Sequence, residues 1–280
     1  MAYASFDFAV DGKVAHIRFN RPEKRNAMTL DFWHDMRAVF AEIDGRDDVR
    51  AAVISSTGPH FTAGMDLSVF GSLTPPDAED GRRRENLRRQ ILWFQECFTI
   101  VDRARVPVLA AIQGGCIGGG VDLVTACDMR YCSADAFFVV KEIDIGMVAD
   151  VGTLQRLPHV MPAGLARELC YTGRRLDAAE ARACGLVNRV FANDAALVEG
   201  VLDLAREIAA KSPLAIAGTK EMLNYARDHS IEDGLNYIAT WNAGMLLTSD
   251  MPEAFAATAQ KRAPTFDDIV AGVPAARARK

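Results

Sequence analysis

The strongest constraint on the fold is a glycine-rich turn near the middle of the chain, which joins an apolar run to a helical pattern. Residues 106–112 (VPVLAAI) have the apolar, β-branched character of a buried strand, and they run directly into QGGCIGGG. The next residues, VDLVTACD, predict a helix. Glycines at this junction let backbone N–H groups approach a ligand closely, and a helix N-terminus favours negative charge. We therefore expect an oxyanion or a phosphate to bind here.

The glycine spacing excludes the two common nucleotide motifs. GGCIGGG contains no G-x-G-x-x-G, and no Lys-Ser/Thr pair follows Gly120. Taken alone, the cluster is also compatible with nothing more than close packing of a helix on a sheet. A second turn, FTAGMDL (residues 61–67), can bring the N–H of Met65 towards the N–H of Gly119. Two backbone donors that converge on one oxygen form an oxyanion hole.

The segments before the glycine turn indicate an α/β domain. Residues 6–10 and 14–19 predict a hairpin around Asp11-Gly12, and apolar residues at helical spacing predict a helix from Leu30 that Thr29 caps. Residues 51–55 (AAVIS) then predict a buried strand. This β-β-α-β order is typical of α/β folds.

Later segments add a loop, a helix and short strands. A loop is predicted over residues 73–81 and a helix over 82–101, followed by strands at 129–132 and 137–140. Asp177 and Glu180 form a D-x-x-E capping pattern for a helix that ends near Gly185.

Strand patterns stop near Asn193, and the remainder of the chain is helical in pattern. Helices are predicted over residues 195–210, 213–229 and 231–247. We therefore divide the chain near Ala192, into an α/β core with the active site (1–192) and a C-terminal helical region (193–280).

Charge and composition exclude several classes of partner. The 32 basic and 37 acidic residues give a formal net charge of -5, so no global positive field is present to bind nucleic acid or an anionic membrane surface. No apolar run reaches the length of a membrane span. The 5 histidines are scattered without metal-ligand spacing, so no metal is predicted.

The cysteines indicate a reducing compartment. The 6 cysteines include no CxxC pair, and no basic, apolar, cleavable leader is apparent at the N-terminus. The last three residues, ARK, differ from the peroxisomal SKL signal. We therefore expect reduced thiols and a cytoplasmic location.

Four segments together resemble the crotonase (enoyl-CoA hydratase/isomerase) family: FNRPEKRNAMT, HFTAGMDL, AAIQGGCIGGGVDLVTACDMRYC and KRAPTF. The resemblance implies a spiral of β-β-α units and a C-terminal helical region used for trimer formation, commonly in a dimer of trimers. It implies an acyl-CoA thioester as substrate, with coenzyme A as part of that substrate rather than a separate cofactor. It also implies that the N–H groups of Met65 and Gly119 hold the thioester carbonyl while an enolate forms.

Three acids in the matching segments indicate the reaction. A 2-enoyl-CoA hydratase of this family has glutamates at the positions of Asp122 and Glu142 and usually lacks an acid at the position of Asp150. The set Asp122, Glu142 and Asp150 instead resembles the dienoyl-CoA isomerase branch. Converting a 3,5-dienoyl-CoA to the 2,4-dienoyl-CoA, a step of fatty-acid β-oxidation, removes a proton at C2 and adds one at C6. The alternatives are a 2-enoyl-CoA hydratase, another crotonase-type enzyme, or an acyl-CoA binder that has lost its activity.

We assign Glu142 to C2, Asp150 to C6 and a supporting role to Asp122. Structural roles remain open for each acid: Asp122 and Asp150 can cap the helices that follow them, and Glu142 can pair with Lys141 or a surface arginine. Two neighbouring acids are left out of the catalytic set, Asp66, which is expected to brace its turn, and Asp144.

Local cations must hold the phosphates of coenzyme A on a net-negative protein. The candidates for the coenzyme A site, including one small residue of the oxyanion turn, are Arg21, Lys24, Arg25, Ala63 and Lys261.

Overall fold

The computed structural model describes residues 3–71 and 79–270. Most of the loop predicted over residues 73–81 lies outside these described residues. The strands are β1 (Phe6–Asp11), β2 (Val14–Phe19), β3 (Ala51–Ser56), β4 (Val108–Ile112), β5 (Gly115–Ile117), β6 (Met129–Ser133), β7 (Phe137–Val139), β8 (Leu176–Asp177) and β9 (Arg189–Phe191).

Helices cover much of the remaining chain. They are α1 (Leu30–Asp44), α2 (Leu67–Phe70), α3 (Asp80–Arg103), α4 (Gly119–Ala126), α5 (Thr153–Val160), α6 (Ala163–Thr172), α7 (Ala178–Ala183), α8 (Asp194–Ala209), α9 (Pro213–Ala226), α10 (Ile231–Met245) and α11 (Asp250–Gln260). Two short 3-10 helices, Pro22–Lys24 and Glu142–Ile145, lie beside the glycine-rich turns.

The larger sheet has the strand order β1-β2-β3-β4-β6-β9. The β1–β2 pair is antiparallel and the other pairs are parallel. Strands β5, β7 and β8 form a second, smaller sheet. The predicted mixed α/β architecture is confirmed. The crossover connections between parallel strands carry α1 and α3, which cover one face of the larger sheet, and α8, which follows the last strand, covers the other.

The predicted hairpin is confirmed, with its turn shifted by one residue. Gly12 and Lys13 are the two loop residues, and both have positive φ, at 53° and 70°. This is the backbone that a two-residue hairpin turn requires, because it matches the twist of the strands. Lys13 is ion-paired with Asp268, at 2.6 Å, near the end of the described chain.

The core lies on both faces of the larger sheet. Helix α1 buries Trp33, Met36 and Phe40 on the face that α3 also covers, so the predicted amphipathic helix is confirmed. Thr29 occupies the cap position, but its side chain makes no capping hydrogen bond. Helix α8 covers the opposite face with Leu197, Val201, Ala205 and Ala209.

The C-terminal helices differ in how they are packed. The predicted segments correspond to α8, α9 and α10, whereas α11 was not predicted. No residue of α10 is buried, and Ile231 and Leu235 are 83% and 64% exposed. The division near Ala192 stays a prediction. Within residues 3–71 and 79–270, no helix is long and apolar enough to cross a membrane.

Lys220 attaches α9 to the core through a buried ion pair. Its Nζ donates to Asp128 Oδ2 at 2.8 Å and to the carbonyl oxygen of Val106 at 3.0 Å. The side chain is 7% exposed, so the charge has little access to water.

We predict that Lys220→Met lowers the free energy of unfolding by about 3 kcal/mol, because it leaves Asp128 partly buried without its cation. Urea unfolding at neutral pH measures the change. Lys211→Met is the control, since Lys211 is exposed, and Lys220→Met with Asp128→Asn should recover part of the loss. An equal, small effect of both single substitutions would contradict the buried pair.

Candidate active site

The candidate site is a cavity of about 790 Å³ between the glycine-rich turns and helices α1, α2 and α3. Met65, Gly119 and all three predicted acids line it. The structure therefore brings together, in one cavity, residues that are distant in the sequence, from Met65 to Asp150.

The turn that carries Met65 is held by its neighbours on both sides. Gly64 accepts a backbone hydrogen bond from Met28 at 2.9 Å, and Asp66 donates one to Met28 at 3.0 Å. Gly64 has φ of 87°, and a Cβ there would lie 2.8 Å from the carbonyl oxygen of Ile117. Only glycine therefore allows this turn to lie against the start of α4.

Gly119 lies directly across from Met65. A Cβ built on Gly119 would be 3.8 Å from the Met65 nitrogen. Gly118 supplies the positive φ, 53°, that turns the chain from β5 into α4. Within the described part of the chain, neither the Met65 nor the Gly119 N–H donates a hydrogen bond. Two adjacent unpaired amides at the wall of a cavity are the arrangement that an oxyanion hole needs.

Asp122 is fully buried on α4 and accepts a hydrogen bond from the first residue of a different helix. Its Oδ1 accepts a hydrogen bond from the Thr153 N–H, at 2.6 Å, where α5 begins, and its Oδ2 has no partner. The alternative prediction, that Asp122 caps α4, is wrong, because α4 has no side-chain cap. Burial raises the pKa of Asp122 to about 6; bonds from Thr153 oppose the shift, and the charge of Asp150 adds to it.

Glu142 begins the 3-10 helix opposite Gly118. A Cβ on Gly118 would lie 3.2 Å from Glu142 Oε1, while Oε2 is buried without a hydrogen-bond partner. Burial, followed by the charges of Asp122 and Asp150, raises the pKa of Glu142 to about 7. Lys141 pairs with Asp144 at 2.6 Å, so it does not neutralise Glu142.

Asp150 also lines the cavity and is half-buried. Its side chain does not cap α5, where Gly152 is the cap residue. Burial raises the pKa of Asp150. Gln95 of α3 donates from Nε2 to the Asp150 carbonyl oxygen, at 2.7 Å, and so fixes the segment that carries this acid. Sequence reasoning missed Gln95, because a polar residue on a long helix gives no pattern that reports a distant partner.

The far end of the cavity is apolar. It is formed by α1, α2 and α3 through Trp33, Phe70, Leu87, Ile91 and Phe94. Such a lining favours a hydrocarbon chain over a polar ligand. It also leaves the acids in a region of low polarity, which explains their raised pKa values.

The residues predicted to bind coenzyme A differ in whether they lie near the cavity. Arg21 and Lys24 lie close enough to Asp66, at the cavity wall, to lower its pKa after the bonds from Ser68. Ala63 lines the cavity and donates a backbone hydrogen bond to the carbonyl oxygen of Arg25. Lys261, in contrast, caps the end of α11 and does not line the cavity.

Comparison with known proteins places the chain in a family. The profile of the Enoyl-CoA hydratase/isomerase family matches residues 10–269. The chain belongs to the enoyl-CoA hydratase/isomerase family. This confirms the resemblance inferred from the sequence motifs.

Two relatives that match most of the chain carry the same name, and a third carries a different one. The peroxisomal Delta(3,5)-Delta(2,4)-dienoyl-CoA isomerase of Arabidopsis thaliana is 46% identical over 91% of this chain and 93% of its own. The mitochondrial protein of that name from Homo sapiens is 49% identical over 89% of this chain and 77% of its own. A carnitinyl-CoA dehydratase of Citrobacter koseri is 33% identical over 94% and 98%.

Solved structures confirm the fold of the family. The enoyl-CoA hydratase of Bacillus anthracis superposes with a TM-score of 0.85 at 27% identity, covering 94% of this chain and 99% of its own. A probable enoyl-CoA hydratase/isomerase of Mycobacterium abscessus gives 0.83 at 32% identity, covering 94% and 98%.

The cytoplasmic location predicted from the sequence is wrong by this comparison, because the dienoyl-CoA isomerase relatives are named mitochondrial or peroxisomal. All 6 cysteines are free. Free thiols are compatible with any reducing compartment, so they did not justify choosing the cytoplasm. Among the described residues, no cluster of His, Cys, Asp and Glu could hold a metal ion.

The raised pKa of Glu142 predicts a pH-dependent contribution to stability. The native state keeps a proton that the unfolded chain loses above the ordinary value of 4.5, so this contribution is complete below that pH and is lost as pH rises through about 7. Glu142→Gln cannot titrate. Its free energy of unfolding relative to the natural protein should therefore rise by about 2 kcal/mol between about pH 5 and pH 8.

Urea unfolding at the two pH values measures this difference. Asp144→Asn is the matched control, because Asp144 is partly exposed and ion-paired with Lys141. A difference for Glu142→Gln that stays constant with pH would show that Glu142 is ionised throughout this range.

Proposed function

We propose that this protein isomerises 3,5-dienoyl-CoA to 2,4-dienoyl-CoA in fatty-acid metabolism. The observation that carries the proposal is the third acid: Asp150 lines the same cavity as Asp122 and Glu142. The names of the relatives that are 46% and 49% identical support the same activity. A hydratase needs acids for one water molecule, whereas moving two double bonds needs proton transfer at two separate carbons.

The proposed reaction begins with the thioester at the two free amides. The carbonyl oxygen accepts hydrogen bonds from the N–H groups of Met65 and Gly119, which stabilise negative charge on that oxygen. The Glu142 carboxylate takes a proton from C2, and the C–H electron pair enters the conjugated dienolate. Protonated Asp150 then gives its proton to C6, and the double bonds move to the 2 and 4 positions.

Burial raises the pKa of both acids, so each binds a proton more readily than an ordinary carboxylate does. A base at C2 must bind the proton reversibly. Because the pKa of Glu142 is raised to about 7, its carboxylate is a stronger base than an ordinary carboxylate. An acid at C6 must hold a proton when the substrate binds, and burial raises the pKa of Asp150 in that direction. The charge of Asp122 raises the pKa of Glu142 further. The chemistry moves protons alone, so the proposal includes no separate cofactor.

We also propose how the rest of the substrate binds. The acyl chain occupies the apolar end beside Trp33 and Phe94. Arg21, Lys24 and Arg25 bind the phosphates of coenzyme A, with Ala63 lining the path to the thioester. Lys261 lies outside the cavity of its own chain, so its proposed contact with coenzyme A is made in the site of a neighbouring subunit.

We propose a homotrimer or a dimer of trimers, with residues 193–280 supplying the contacts between chains. The exposed apolar residues of α9, α10 and α11 support this assembly, because a large unburied apolar surface is typical of an interface. They include Leu223, Ile231, Leu235 and Phe255. Light scattering of the purified protein distinguishes three chains from six.

The isomerase activity is tested with a 3,5-dienoyl-CoA, by following the ultraviolet absorbance of the conjugated product. The unmodified protein should convert it, and Asp150→Asn should lower kcat by about 10² to 10⁴, the usual contribution of a proton-transfer group. Asp144→Asn should have no effect. Hydration of a 2-enoyl-CoA is measured in parallel. Rapid hydration that is insensitive to Asp150→Asn, without isomerisation, would favour the hydratase alternative.

A further inference from the structure

A second cavity, of about 520 Å³, borders the segment that carries Asp150. Asp150 and Val151 line the candidate active site, whereas Val151 and Gly152 line the second cavity. These three residues lie between the 3-10 helix that ends at Ile145 and helix α5, which begins at Thr153, and they belong to no helix or strand. A segment that borders two cavities has few packing contacts, so its position depends on individual bonds.

The side chain of Arg156 lies against this segment. Arg156 is on the first turn of α5, and a Cβ built on Gly152, which has φ of 134°, would collide with Arg156 Nη1. The Arg156 side chain is only 15% exposed. A positive charge near a helix N-terminus is opposed by the helix dipole, and burial removes its hydration. The position of this guanidinium therefore depends on specific partners.

Three consecutive hydrogen bonds connect Arg156 to Asp150. Arg156 Nη2 donates to Thr99 Oγ1 at 3.1 Å, and the Thr99 hydroxyl donates to the carbonyl oxygen of Gln95 at 2.9 Å. The side chain of Gln95 then donates from Nε2 to the carbonyl oxygen of Asp150, at 2.7 Å. Helix α3, which carries Thr99 and Gln95, is thus bonded both to Asp150 and to the arginine that lies against Gly152.

Asp102 and α9 fix the other side of Arg156. Arg156 Nε lies 3.9 Å from Asp102 Oδ2, and Arg227 binds both carboxylate oxygens of Asp102, each at 3.0 Å. Asn224 of α9 donates from Nδ2 to the carbonyl oxygen of Asp102 at 2.9 Å. Asp102 is therefore held by two residues at the end of α9, and it supplies the negative charge beside the buried guanidinium.

We propose that Arg156 and Thr99 are positioning residues for Asp150. They hold the segment 150–152 so that the Asp150 carboxyl group stays directed at C6 of the bound dienoyl chain. Neither residue lines the candidate active site, so neither contacts the substrate. This inference rests on the proposed isomerase function, because that function assigns the proton transfer at C6 to Asp150.

Arg156→Met and Thr99→Val are the test variants. Methionine keeps the aliphatic bulk of arginine, and Asp102 retains Arg227 as its partner, so Arg156→Met should fold. Valine has the shape of threonine without its hydroxyl, whereas Thr99→Ser keeps the hydroxyl and is the conservative variant. Arg103→Met is the control, because Arg103 also lies on α3 and is 60% exposed.

The first measurement is kcat and KM with a 3,5-dienoyl-CoA, for each variant alone and combined with Asp150→Asn. Arg156→Met and Thr99→Val should lower kcat about tenfold and leave KM unchanged, because a displaced Asp150 impairs proton transfer while the thioester still binds. Thr99→Ser and Arg103→Met should keep the natural kcat. In the Asp150→Asn background, neither test substitution should lower kcat further, because both act through Asp150.

Hydrogen exchange gives a second measurement, which is independent of catalysis. The backbone amides of residues 150–153 should exchange faster in Arg156→Met and Thr99→Val than in the natural protein, because the segment is then less restrained. Thr99→Ser and Arg103→Met should leave the exchange rate unchanged. Mass spectrometry of the peptide that contains these residues determines the rate.

Three results would overturn the proposal. They are a raised KM with unchanged kcat, an equal loss of kcat with and without Asp150→Asn, and unchanged hydrogen exchange at residues 150–153 in both test variants. If the natural protein forms no 2,4-dienoyl-CoA, the isomerase function fails. Hydrogen exchange alone then decides whether Arg156 and Thr99 hold the segment.

Discussion

The site depends on the close approach of two backbone turns, which only glycine permits. Gly64 lies with positive φ against the carbonyl oxygen of Ile117, and Gly118 turns the chain at positive φ into α4. A side chain at Gly64 would push the two turns apart and so separate the Met65 and Gly119 amides. The hydrogen bonds of Met28 on both sides of Met65 hold one turn, and the bond from Gly118 N–H to Val139 holds the other. The two amides proposed to form the oxyanion hole are therefore held in place without a bound substrate.

Burial of the carboxyl groups is the second constraint, and it follows from the same packing. Helix α4 begins at the glycine turn, so Asp122 on its first turn is carried into the interior. Its bond to the Thr153 N–H joins α4 to the start of α5, three residues after Asp150, which lines the same cavity as Glu142. Burying these acids lowers the free energy of unfolding at neutral pH. It also raises their pKa values at the place where the proposed reaction transfers protons. The proposed proton transfer and this loss of stability therefore have the same cause.

Much of this arrangement could be predicted from the sequence, because its determinants are local. Alternating apolar residues predicted the opening hairpin, helical spacing predicted α1 and α3, and the glycine run predicted the junction at Gly119. The family resemblance added the three acids. Strands β5, β8 and β9 were not predicted, since they are two or three residues long and are stabilised by their partners rather than by their own pattern.

Contacts between distant segments were beyond local patterns. The bond from Thr153 to Asp122 and the bond from Gln95 to Asp150 join residues 31 and 55 positions apart. Asp122 was expected either to cap its own helix or to serve the reaction, whereas the structure shows that it accepts a hydrogen bond from the first residue of α5 and also lines the cavity. The roles of Lys261 and of the C-terminal helices remain predictions, because they depend on neighbouring chains.

The central claim is that one cavity holds the thioester at two amides and opposes a carboxyl group to each end of the conjugated system. A crystal structure with a bound 2,4-dienoyl-CoA tests it most directly. The thioester oxygen should lie at about 2.7 to 3.1 Å from both the Met65 and Gly119 nitrogens. C2 should face Glu142, and C6 should face Asp150. A thioester bound away from these amides, or a C6 atom that faces no carboxyl group, would contradict the proposed mechanism.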